Sequence, residues 1–228
     1  LSSASAASDV YKRQLLCRMP ECLISTYQDN MPLAAELKAD FEWAKSIAVG
    51  PGLSMNVAAA EITRCVLERD DKVRILDADA LNIIAGEHID YKGSREGQII
   101  ITPHIMEMSR LTGKTVADIK EHMIESAKEY AIQHSCICIL KDARTVVTDG
   151  QKVYINCTGN DGMSTGGCGD VLTGLIAGMT AMGLDAFEAA CLSVYVHGKA
   201  GDYAASGKGR AGMTAADISE AIAYVLKR

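Results

Sequence analysis

Four short apolar runs, Ser46–Val49, Val73–Leu76, Ile99–Ile101 and residues 136–140, are separated by longer segments of helical period, and this alternation restricts the chain more than any other feature. Runs that are apolar at nearly every position suit strands covered on both faces. Parallel strands in turn need a crossover connection, usually a helix. The first run stops at Gly50-Pro51-Gly52, and Ser54 is expected to cap a helix bearing Val57, Ile62, Cys65 and Val66. The second closes on Asp77 and the third on Thr102-Pro103. Thr115 is expected to cap one long helix to about residue 134, with Val116, Ile119, Met123, Ala127 and Tyr130 on one stripe. Residues 145–148 and 153–156 flank Asp149-Gly150, a two-residue hairpin signal, so an antiparallel pair should join the sheet. Three helices close the chain, over residues 170–182, from a cap at Asp185 to about residue 205, and from a cap at Thr214 to residue 226. The expected class is α/β, an open, mostly parallel sheet with helices on both faces and an antiparallel hairpin. Ligands of such sheets bind in the crevice at the carboxyl ends of the strands.

The 228 residues suit one domain, and 48% apolar residues suffice for a sizeable core. A net charge of −6 and a pI near 5.4 disfavour a phosphate-backbone binder, so nucleic acid is not an expected partner. Eight cysteines, at positions 17, 22, 65, 136, 138, 157, 168 and 191, contain no C-x-x-C pair, and most are expected to be buried, reduced thiols. The uncharged stretch over residues 171–184 is shorter than the roughly 20 apolar residues a bilayer span requires. No membrane partner is expected. Residues 1–14 lack an initiator methionine, apolar periodicity and a secretory apolar core, and read as a non-native or disordered leader. The domain signal spans 15–228, and the combination points to a reducing cytoplasm.

The segment Met163-Ser164-Thr165-Gly166-Gly167-Cys168-Gly169-Asp170 runs directly into an apolar helical stretch. Glycines at a helix N-terminus let several backbone N–H groups converge on one anion, to which the helix dipole adds positive potential. A carboxylate beside an anion site is costly by like-charge repulsion unless it has a task such as accepting a proton. The same residues also read as an N-cap aspartate after a flexible loop. Two other phosphate motifs fail. Gly113-Lys114-Thr115 ends like a P-loop, but position 108 is Met and no strand precedes it, and Gly50-Pro51-Gly52 lacks the third glycine of a dinucleotide fingerprint because position 55 is Met. Asn156-Cys157-Thr158 matches a glycosylation sequon but is read as a strand end.

Gly50-Pro51-Gly52-Leu53, Leu76-Asp77-Ala78-Asp79-Ala80-Leu81-Asn82, Thr102-Pro103-His104 with Glu107, Lys141-Asp142-Ala143-Arg144-Thr145, and Gly169-Asp170 occur in the order and spacing of the ADP/ATP-dependent NAD(P)H-hydrate dehydratases. From about Leu15 to Arg228 the chain resembles that family, which implies a ribokinase-like fold. The resemblance implies a repair reaction on NADHX or NADPHX, the hydrates of NADH and NADPH. The hydrate hydroxyl is phosphorylated by ADP or ATP with Mg²⁺, and phosphate elimination restores the nicotinamide ring. Carried over residue by residue, Asp170 would be the base and a contact to the hydrate, with Gly167, Cys168 and Gly169 as the anion hole. Lys141, Asp142, Ala143, Arg144, Thr145 and Gly169 would bind the nucleotide, Gly52 and His104 the hydrate, and Glu107 would help hold Mg²⁺, usually through water. Asp77, Asp79 and Asn82 could shape the hydrate pocket or cap a helix. Asp142 stands where the family commonly has Gly, and Cys168 where it often has Thr or Ser, with no redox role assigned. Relatives usually carry a strand and glycine-containing loop upstream of the segment matching residues 18–27, so the chain reads as lacking N-terminal elements. The resemblance also implies a homo-oligomer and, in many bacteria, a fused epimerase domain. A ribokinase-like kinase of a vitamin precursor or sugar, or a nucleotide-binding fragment without catalysis, are the alternatives.

Overall fold

The computed structural model describes residues 17–25, 33–93 and 98–227. The leader assigned to residues 1–14 lies outside them. In chain order the elements are α1 (Leu33–Trp43), β1 (Ser46–Val49), α2 (Val57–Leu67), β2 (Val73–Leu76), α3 (Ala78–Gly86), β3 (Ile99–Ile101), α4 (Ile105–Thr112), α5 (Val116–Glu121), α6 (Met123–His134), β4 (Ile137–Leu140), β5 (Val146–Thr148) and β6 (Val153–Ile155). A 3₁₀ turn (Asp161–Met163) and α7 (Cys168–Ala181), α8 (Ala186–Lys208) and α9 (Ala215–Leu226) complete them.

The six strands lie side by side in chain order, with β1 to β4 parallel and β5 and β6 antiparallel. Period-two alternation divides each parallel strand between two cores. Leu76, Ile99, Ile101, Cys138 and Leu140 point into one with residues of α1 to α6, whereas Ile75, Ile100, Ile137, Ile139 and Val147 pack against Leu172 and Ile176 of α7 and Ala190 and Val194 of α8. Helices therefore cover both faces, as the nearly continuous apolar runs imply. A third cluster, including Cys168, Ala200, Ala204, Met213 and Ile218, joins the ends of α7, α8 and α9.

Local expectations fail at four places. Ser54 does not cap α2: it sits at φ +68 with its N–H donating to Asp79 Oδ2 at 2.7 Å, and Asn56 is the cap, its Oδ1 accepting from Ala59 N–H at 2.8 Å. The long helix from Thr115 is broken at His122, whose ψ of 49° leaves the helical region. Ile119 before the break and Ala127 after it are both fully buried. The hairpin loop holds four residues rather than two, because Asp149 Oδ1 accepts from both Gln151 and Lys152 N–H and Thr148 pairs with Val153. Of the cysteines, only Cys136, Cys138 and Cys168 are buried; Cys65 and Cys191 are half-buried and Cys17, Cys22 and Cys157 exposed, all as free thiols. Asn156 is buried, its amide bonded to the Thr158 carbonyl and hydroxyl, so the sequon serves as a turn.

Candidate active site

At the carboxyl ends of the parallel strands, Asp77 follows β2, Thr102 and Pro103 lead from β3 to His104 at the head of α4, and Lys141 follows β4. Asp77 is 1% exposed. Its Oδ1 accepts from Lys141 Nζ at 2.9 Å and its Oδ2 from Thr173 Oγ1 of α7 at 2.8 Å. Burial raises the affinity of this carboxyl for a proton, but the charge of Lys141 and hydrogen bonds from Thr102, Lys141 and Thr173 outweigh it and hold the group below the ordinary aspartate range. The carboxylate is thus kept ionised where an isolated one would be costly. Backbone shape brings it there. Gly50, at φ +124, lies so near the Asp77 carbonyl that a Cβ would stand 1.7 Å from that oxygen, and Ala78 takes φ +47, a conformation uncommon for alanine.

Above this pair α7 begins. Gly167 is its N-cap at φ +86, and Gly169, Lys141 and Asp77 are close enough that a Cβ on Gly169 would lie 3.5 Å from Lys141 Nζ and 3.8 Å from Asp77 Oδ2. The positive end of α7 therefore points over an ion pair whose cation is only partly buried. A cavity of about 760 Å³ opens beside it. Its wall takes in His104, Lys141, Asp142, Ala143, Arg144, Thr145, Cys168 and Gly169, all singled out in the sequence. Arg144 is exposed there, Nη1 donating to its neighbour's carbonyl at 3.2 Å. The rest of the wall comes from the segment between β6 and α7, including Asn156, Thr158, Gly159, Asn160 and Thr165, and from Leu172, Val194, His197 and Gly198.

Gly52, Glu107, Gly167 and Asp170 are not part of that wall. Asp170 is exposed in the first turn of α7, immediately after the wall residue Gly169. Gly52 sits at φ +64 in the loop after β1 with open space where a side chain would go. Glu107 and His104 form a capping box: Glu107 Oε2 accepts from the His104 N–H at 2.8 Å, and His104 Nδ1 accepts from the Glu107 N–H at 3.1 Å. That bond places the proton of the neutral ring on Nε2, 3.4 Å from Glu107 Oε1. Burial, opposed by the hydrogen bond from the His104 N–H and the charge of Lys141, raises the Glu107 carboxyl above the usual glutamate range. A carboxylate so engaged, beside an Asp77 with both oxygens already bonded, makes no cage for a divalent ion, and no group of three His, Cys, Asp or Glu among the described residues could hold a metal. The donor set fits no protein-held Mg²⁺, which would have to arrive with phosphate oxygens and water.

Three groups escaped the sequence reading. Thr173 carries no local signal, since a threonine inside an apolar helix reads as core. His197 lies in the middle of α8, 9% exposed, with Nε2 bonded to no group among the described residues. Burial lowers its pKa to about 4, assisted by the charge of Lys141 and opposed by a hydrogen bond to the Cys168 backbone. Asp202 accepts from Gly159 N–H and Asn160 Nδ2, each at 3.1 Å. The available signal was the small-residue spacing Gly198 and Gly201, one turn apart beside both polar groups.

The family profile described as NAD(P)H-hydrate dehydratase matches residues 7–224. The chain is 45% identical over 183 residues to a bifunctional NAD(P)H-hydrate repair enzyme of Moorella thermoacetica, a match covering 79% of this chain and 34% of that protein. It is 33% identical over 215 residues to the ADP-dependent (S)-NAD(P)H-hydrate dehydratase of Neisseria meningitidis, covering 92% of this chain and 72% of the relative. The chain thus spans about a third to two fifths of the length of the bifunctional relatives it matches. The ADP/ATP-dependent NAD(P)H-hydrate dehydratase of Bacillus subtilis, crystallised with ATP and Mg²⁺, superposes with a TM-score of 0.80 at 28% identity, covering 95% of this chain and 75% of that one. A ribokinase-like superfamily protein of Enterococcus faecalis gives 0.80 at 26% identity, covering 93% and 72%. With an open sheet of ribokinase-like type and a family match over nearly its whole length, the chain belongs to the NAD(P)H-hydrate dehydratase family.

Proposed function

We propose that the chain catalyses nucleotide-dependent dehydration of the hydrates of NADH and NADPH. The observation that carries this reading is the cavity of about 760 Å³ on which Cys168 and Gly169 at the start of α7 and the cationic residues Lys141 and Arg144 converge. A nucleotide lies in it with its phosphates toward Lys141, Arg144 and the N-terminus of α7. The hydrate approaches from the side of Gly52 and His104. Asp170 takes the proton of the hydrate hydroxyl, whose oxygen attacks the terminal phosphorus as the bond to the bridging oxygen breaks, releasing AMP from ADP or ADP from ATP. The N–H groups of Gly167 and Gly169 hold the charge that develops on the transferring group, the Cys168 N–H donating to the Thr165 carbonyl at 3.4 Å. Phosphate then leaves with a neighbouring ring proton, and the ring double bond is restored. The Asp77 to Lys141 pair keeps the lysine oriented toward the phosphates, and Mg²⁺ comes with the nucleotide.

The N. meningitidis relative is named ADP-dependent, and ADP is the donor proposed for this chain. The relatives named bifunctional support a parent polypeptide joining this domain to an epimerase. The test is recovery of NADPH absorbance from NADPH hydrate by the full chain with ADP and Mg²⁺, beside the ATP reaction. Formation of NADPH with stoichiometric phosphate is the expected result. A stable phosphorylated small molecule in its place would assign a kinase, and ADP binding without turnover would leave a nucleotide-binding protein.

A further inference from the structure

The segment between β6 and α7 forms one wall of the cavity; Met163 seats its later part in the third cluster against Gly201 of α8, whereas Cys157 and Asp161 are exposed and Thr158, Gly159 and Asn160 only half-buried. Polar links share in fixing residues 158–160. One is Asp202 on α8, whose two carboxylate oxygens accept separately from the Gly159 N–H and from Asn160 Nδ2, both at 3.1 Å. Asn160 passes the constraint on, since its Oδ1 accepts from the Gly162 N–H at 3.1 Å and so caps the 3₁₀ turn before the anion-binding start of α7. Its amide orientation is thereby determined, with oxygen toward Gly162 and nitrogen toward Asp202. Backbone contact permits the arrangement, because a Cβ on Gly198 would stand 2.7 Å from the Thr158 carbonyl carbon, so only glycine lets the segment lie against α8.

We infer that Asp202 is a positioning residue for nucleotide binding: through Gly159 and Asn160 it holds the 158–162 wall of the cavity in its binding-competent place. The inference rests on the nucleotide reading of the cavity given above. Asp202 touches no reacting group, and it acts on the ligand only through the segment it clamps.

The hydrogen-bond polarity supplies a sharp test. In Asp202→Asn the new amide oxygen can still accept from Gly159, but its nitrogen faces the Asn160 nitrogen and one link becomes a clash of donors. Adding Asn160→Asp restores every bond with the polarity of the pair reversed: the carboxylate now at position 160 accepts both from the Gly162 N–H and from the amide at position 202. ADP affinity by calorimetry and hydrogen exchange at residues 159–163 are measured for wild type, both single variants and the exchanged pair, each as the full chain. D202N is expected to weaken ADP binding about tenfold and to speed exchange at 159–163, and the pair to recover both to within about threefold of wild type. An unchanged ADP affinity in D202N overturns the inference. So does a pair that regains slow exchange while ADP binding stays weak, since the clamp would then be merely structural. If the wild-type chain binds no ADP, the nucleotide reading of the cavity fails, and exchange that is insensitive to D202N would separately remove the clamp.

Discussion

Asp170, Asp77 and His197 are three ionisable side chains within one region, and their surroundings give them different work. Asp170 is exposed beside the cavity, so its replacement by Asn disturbs little packing. As the proposed base, Asp170→Asn should lower kcat at least about 100-fold while ADP affinity, read by calorimetry, changes little. An equal fall in both would make Asp170 a binding group instead. Asp77 is buried and paired, and Asp77→Ala would strip the partner from Lys141 and the acceptor from Thr173. A loss of about 3 kcal/mol in urea unfolding is expected, together with weaker ADP binding as Lys141 loses its orientation. His197 is held neutral, its pKa lowered to about 4 from 6.5. The unfolded chain therefore binds the proton that the folded chain refuses. The contribution of His197 to stability is intact above pH 6.5 and is lost as pH falls from there to about 4, by roughly 3 kcal/mol in total. The difference between wild type and His197→Gln should isolate that slope, and parallel stability curves across the window would show that the ring is not held neutral by burial. Among these residues, Asp170 was legible because it ends a glycine motif, and Asp77 only as the polar stop of a strand. His197 and Thr173 were not legible, because a single polar residue inside a helical period is indistinguishable from a satisfied core group until the facing elements are known.

At the level of elements, the same substitution should have opposite signs at two glycines. Gly50→Ala places a methyl group 1.7 Å from the Asp77 carbonyl oxygen at φ +124, where the obstacle is backbone, and should cost about 3 kcal/mol or more. Gly174, exposed within α7, has open space around its would-be Cβ, and Gly174→Ala should gain about 0.5–1 kcal/mol from helix propensity. Urea midpoints of the two variants moving in the same direction would contradict this assignment. The contrast explains why the strands and helices were legible while their connections were not. Runs apolar at nearly every position identify β1 to β4, Ser46 and Arg74 being the exceptions, because burial on both faces leaves little alternation to misread, and helical period identifies α7 to α9. Caps and loops depend on which of several short polar residues reaches a backbone N–H. Asn56 rather than Ser54 does so for α2, and Asp149 widens the hairpin loop to four residues. The break at His122 separates two segments that share one hydrophobic stripe, so periodicity alone joins them into a single helix.

Over the whole molecule, the cavity is a joint product of segments distant in the chain: the ends of β3 and β4, the loop after β6, the start of α7 and the middle of α8. The strand ends and the glycine motif announce their part in the sequence, whereas the α8 wall depends on how that helix crosses the loop after β6, which no local pattern encodes. A site assembled this way couples ligand binding to the stability of the whole sheet, since a nucleotide bridging the β4–β5 loop and α7 binds only when both are in place. At 100 times its Kd, ADP should therefore stabilise the chain by about 2.7 kcal/mol, which for a domain of this size is a rise in Tm of about 5–10 °C. Arg144→Ala, at the exposed mouth of the cavity, should reduce that rise while leaving the Tm without nucleotide within about 1 °C, because among the described residues its guanidinium donates only to the adjacent carbonyl. A full ADP-dependent rise in the Arg144→Ala protein would place the phosphates away from the β4–β5 loop and move the nucleotide out of the cavity.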